Sequence, residues 1–137
     1  MANQSHLGTV RVLFVFVAAM VLFIVVGMTV FIIPAIDPLA KVPGMDRQPL
    51  FGFAFLAASH ILPRKFAWAL KSFCTNVPSH VRVTSAYSVI LGLKGASVLT
   101  GAFAVAFGAD PYWLHLLGAA TLLSIGIDWP TAERVSA

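Results

Sequence analysis

Acidic residues and cysteine are scarce in this chain of 137 residues, with five of the former and one of the latter. A single Cys74 excludes an intramolecular disulfide, and no CxxC or related pairing is present to hold zinc. Asp37, Asp46, Asp110, Asp128 and Glu133 all fall outside the apolar runs and share no metal-ligand spacing with the four histidines, so neither a metal nor a cofactor is expected. No GxSxG elbow surrounds any serine, which removes that signature of nucleophilic catalysis. Charge of either sign is scarce at 10% of residues, against 59% hydrophobic ones and a mean hydropathy of +0.91. Such a chain is long enough for one helical domain and too short for a separate soluble one. The nine basic residues are dispersed, four of them between positions 64 and 82, a distribution that orients a protein in a membrane and does not build a nucleic-acid surface.

What the chain does contain is apolar length. Residues 12–33, VLFVFVAAMVLFIVVGMTVFII, carry no charge, amide or proline. At about 1.5 Å per helical residue the run exceeds the roughly 30 Å hydrocarbon core of a bilayer. Backbone polar groups in lipid require a helix or a closed barrel, and a continuous apolar run suits a helix. The run is too long for a signal-peptide core and passes into IIPAIDP without a small-residue cleavage site, so it is read as a retained span.

The prolines divide the remainder. Pro34, Pro38 and Pro43 make a loop after the first span. Residues 49–62 form a second, short span that Pro63 ends or kinks, and FAWALKSF at 66–73 reads as a short interfacial helix with Phe66, Leu70 and Phe73 on one face. A polar connector at 75–84 leads to a third span at 85–108, interrupted only by Lys94. Asp110-Pro111 is a helix-start pair, Asp as cap and Pro in the first turn, opening a fourth span at 112–127 that packs antiparallel to the third. The fold class expected is all-α: a polytopic integral membrane four-helix bundle forming one domain over 1–137. Lys and Arg place both termini and residues 63–83 in the cytoplasm.

Within the spans Lys94 is the foremost candidate, because an ionisable side chain costs about 2.5–3.5 kcal/mol at the bilayer centre unless it snorkels outward or meets a partner. Tyr87 and Ser97 share its helical face, making Lys94, Tyr87 and Ser97 the candidate ligand-binding residues. His60 and His115 fall at opposite membrane faces, which argues against a shared haem. Ser59, Ser88, Ser97, Thr100, Thr121 and Ser124 are assigned no catalytic base and are read as helix-packing hydroxyls. Small residues four apart, such as Ser97 and Gly101 or Ala120 and Ser124, let the third and fourth spans approach or offer a homodimer face. Trp68, Tyr112, Trp113 and Trp129 fall at interfaces, where amphipathic rings anchor helices.

The stretch YSVILGLKGASVLTGAFAVAFG and the later HLLGAATLLSIGID resemble the last two helices of DoxX-like and related small four-helix membrane proteins. Gly92, Lys94, Gly95 and Asp128 carry the likeness, with Lys94 standing where an arginine is more usual. The resemblance implies a four-helix bundle, with some members serving as accessories to membrane redox or natural-product pathways, and it supplies no catalytic residues. Two functional classes therefore fit. One is a membrane accessory protein or subunit binding a partner or an apolar small molecule in the bilayer. The other is a small membrane enzyme or carrier acting on a hydrophobic metabolite, with Lys94 in an intramembrane cavity.

Overall fold

A computed structural model describes the backbone of residues 2–36, 41–73, 76 and 78–131, with side chains in those ranges apart from 2–6, 63–73 and 79–80. The described residues form four long helices and no strand: α1 (Ala2–Gly27), α2 (Pro49–Phe73), α3 (Ser79–Ala106) and α4 (Tyr112–Ile127). Two stretches are long and apolar enough to cross a membrane, Leu7–Ala35 with mean hydropathy 2.9 and Val81–Ala106 with 1.8.

The end of α1 is set by proline. Its helix widens into a π turn at Met28–Ile32, where Thr29 donates its hydroxyl to the Val25 carbonyl, and tightens to a 3-10 turn at Ile33–Ala35 around Pro34. The chain then becomes extended at Ile36, as expected where the ring removes an amide donor and crowds the preceding turn. At the start of α4 the Asp110 carboxylate accepts the Tyr112 amide at 2.9 Å, the capping role that its position before Pro111 predicts.

Two expectations are corrected. Pro63 does not end the helix: α2 is continuous for 25 residues, so the short interfacial helix expected at 66–73 is instead the last part of α2. One proline costs a helix an amide bond and some crowding of the preceding turn, and α2 packs chiefly against α3, a tertiary contact that offsets such a local penalty. The expected connector at 75–84 is likewise largely helical, because Pro78 supplies the turn and α3 starts at Ser79.

Helices α2, α3 and α4 interlock through small residues. A methyl group added to Gly101 on α3 would lie 2.7 Å from Leu117 on α4, and one on Gly52 on α2 would lie 2.9 Å from the same leucine and 3.0 Å from the Ser97 carbonyl. The small-residue spacing on α3 is thus a packing surface at Gly101; Gly92 faces open space. Near one end, Phe14 on α1 packs edge-on against Tyr87 at 5.6 Å and Trp129 at 6.0 Å, and the Arg11 Nε donates to the Pro130 carbonyl at 3.3 Å. The first and last described helices therefore bring chain residues 11 and 130 to the same end. At the other end Val42 donates its amide to the Phe107 carbonyl at 3.0 Å, tying the loop after α1 to the α3–α4 turn.

Candidate functional site

Five polar side chains from three helices meet where α4 ends. Ser59 and His60 are neighbours on α2, Lys94 lies in the middle of α3, and Ser124 and Asp128 stand one helical turn apart on α4. The spacing of four residues puts Ser124 and Asp128 on one face.

Lys94 has no exposed surface. Its ammonium donates to Asp128 Oδ2 at 2.7 Å, to Ser59 Oγ at 3.3 Å and to Ser124 Oγ, so its three protons have three acceptors. Ser59 passes its own hydroxyl proton to the Leu56 carbonyl at 2.6 Å. The stem of Lys94 does not snorkel along α3 toward water; it crosses between α2 and α4. Asp128 caps the C-terminal end of α4, where the helix dipole disfavours a carboxylate, and the cation opposite offsets that penalty.

His60 spans the two α4 groups. Its Nε2 lies 2.9 Å from Ser124 Oγ and its Nδ1 3.3 Å from Asp128 Oδ2. An ammonium can only donate, so Ser124 accepts from Lys94 and has its own proton free for His60 Nε2. The carboxylate beside Nδ1 favours the neutral tautomer that carries its proton there, which leaves Nε2 to accept from Ser124. The His60 side chain is 41% exposed and that of Asp128 22%, whereas Lys94 is sealed, so the cluster opens outward mainly at the imidazole.

No family model, curated protein or solved structure matches the chain. The geometry of this cluster is thus what bears on function. Hydroxyl, imidazole and carboxylate linked in that order are the arrangement that lets an imidazole accept a hydroxyl proton while the carboxylate fixes its tautomer.

Of the three residues singled out in sequence, Lys94 is at the centre of the cluster. Tyr87 is buried in an apolar group with Val10, Phe14, Ile90, Leu91 and Ile125. Ser97 is buried one turn beyond Lys94, and its hydroxyl has no hydrogen-bond partner, as is true of Thr121 on α4. His115, exposed near the start of α4, is not part of the cluster. Three assignments change. His60 sits midway along α2 and not at the end of a short span; Asp128 belongs to the buried network although it follows the last helical residue; and Ser124 does have a base beside it. Hairpin register was the signal available. Lys94 is sixteen residues before Asp110 and so level with position 126, which Ser124 and Asp128 flank.

Proposed function

We propose that the chain is an integral membrane protein whose four helices cross the bilayer, with both termini and residues 63–83 on the cytoplasmic side, and that it serves as an accessory protein or subunit binding a partner or an apolar small molecule within the membrane. The outer face of α1 carries this reading. Only 11% of its apolar stretch is buried, and Val12, Val15, Phe16, Phe23, Val26, Val30 and Phe31 are each 55–79% exposed. From Val12 to Phe31 this stripe runs about 28 Å, close to the hydrocarbon thickness. In water an apolar patch of that length exceeds what a soluble monomer leaves uncovered. The return of residues 11 and 130 to one end supports an even number of crossings. The pairing of Lys94 with Asp128, two of the positions that carry the DoxX-like resemblance, supports kinship with that kind of small four-helix protein.

Membrane preparations washed at alkaline pH should retain the protein in the pellet. In a Cys74→Ser background, Ser79→Cys should stay unlabelled by an impermeant maleimide applied to intact cells and become labelled after lysis. Release by the wash would refute membrane insertion; labelling from outside would refute the orientation.

A second reading, a small membrane enzyme or carrier acting on a hydrophobic metabolite, is favoured by a different observation: Ser124 and Asp128, both bonded to Lys94, converge on an imidazole that is open to the bundle surface.

A further inference from the structure

We propose that Ser124 is an acyl-accepting nucleophile with His60 as its base, and that the substrate is a carboxylic ester with an apolar chain reaching the serine along the seam between α2 and α4. The proposal rests on the enzyme reading and names its reaction class. Three observations carry it. The Ser124 hydroxyl is at hydrogen-bonding distance from His60 Nε2, and because Lys94 donates to Ser124 Oγ, the serine keeps its own proton available for that nitrogen. The other ring nitrogen lies 3.3 Å from Asp128 Oδ2, where the carboxylate, as the positioning residue, favours a proton on Nδ1 and so leaves Nε2 free for the serine. The exposed edge of the site is apolar: Ile61 and Leu62 follow His60 on α2, Leu123 and Ile127 bracket Ser124 on α4, and all four are 44–68% exposed. An ester dissolved among lipid chains meets that edge, whereas a charged substrate does not.

The step balances with groups already present and with water. Ser124 Oγ forms a bond to the ester carbonyl carbon as its proton passes to His60 Nε2, and the carbonyl π pair moves onto oxygen. The Lys94 ammonium, already donating to Ser124 Oγ, is the cationic donor beside the resulting oxyanion. Collapse re-forms the carbonyl and breaks the carbon–oxygen bond to the alcohol, which leaves with the proton from His60. A water molecule then repeats the sequence on the acyl-serine, releasing the carboxylic acid and restoring Ser124.

The test uses the full chain in detergent micelles with a fluorophosphonate probe and p-nitrophenyl butyrate. Native protein should acquire one adduct, mapped by peptide mass spectrometry to Ser124, and heat-unfolded protein none. His60→Ala should slow adduct formation about 100-fold or more, with partial recovery on adding imidazole, while Asp128→Asn should lower kcat for the ester and leave KM unchanged. No adduct on monodisperse native protein, an adduct on another residue, or an unchanged rate in His60→Ala would overturn the proposal. Labelling in micelles does not depend on topology, so it stands or falls separately from the membrane reading.

Discussion

Replacing Asp128 with alanine should destabilise the bundle by about 3–5 kcal/mol, the usual cost of stranding one partner of a buried ion pair. Lys94 has no exposed surface and reaches the carboxylate at 2.7 Å, where two unit charges attract by about 6 kcal/mol at an effective dielectric constant near 20. The Ser59 and Ser124 hydroxyls persist in the variant and keep two of the three ammonium protons bonded, which holds the net loss below that figure. The reverse change is milder. In Lys94→Met the stranded carboxylate is 22% exposed and keeps His60 as a neighbour, so the cost should be about 1–2 kcal/mol. The double variant should recover to within about 1 kcal/mol of the parent, because neither charge is then left alone. Unfolding in mixed micelles by increasing SDS, followed by circular dichroism, gives all four corners of the cycle. Asp128→Ala costing less than about 1 kcal/mol, or less than Lys94→Met, would refute the reasoning.

Three further outcomes are expected in the same assay. Gly101→Ala should cost about 1–3 kcal/mol because its methyl group meets Leu117, whereas Gly92→Ala, with open space around it, should be neutral or slightly stabilising. Phe14→Ala should cost about 3–5 kcal/mol through loss of its contacts with Tyr87 and Trp129; Phe23→Ala, on the outer face of α1, should cost far less. Asp110→Ala should cost about 1 kcal/mol through loss of the cap on the Tyr112 amide.

Apolar length, proline position and capping chemistry made most of the helical layout legible, because each is a local cause with a local effect. The apolar run before Pro34 is helical throughout, as α1 and the turns that close it, and Asp110 opens α4, because an absent amide or a well-placed carboxylate acts within one turn. Pro63 misleads for the opposite reason: tertiary packing overrides a local penalty that sequence reasoning weighs by itself. The site was half visible. Lys94 announces itself by its apolar surroundings, but its partners were sorted by whether they lay inside or outside an apolar run, and Asp128 lies just outside one. Halving α2 also moved His60 to a helix end, away from the depth at which it meets Ser124.

The short turn between α3 and α4 has a bearing on how such a chain is made. Residues 107–111 are all that separate a helix with a lysine at its midpoint from the helix that brings the matching aspartate. Synthesis delivers Lys94 first, and alone in hydrocarbon that residue carries a penalty of about 3 kcal/mol. In the membrane setting proposed above, so brief a link would let the ribosome supply the counter-charge before α3 had to settle by itself, and the two helices would enter as a neutralised pair. On that reading, lengthening the turn would expose the lysine for longer, and insertion would falter before any property of the finished bundle had changed.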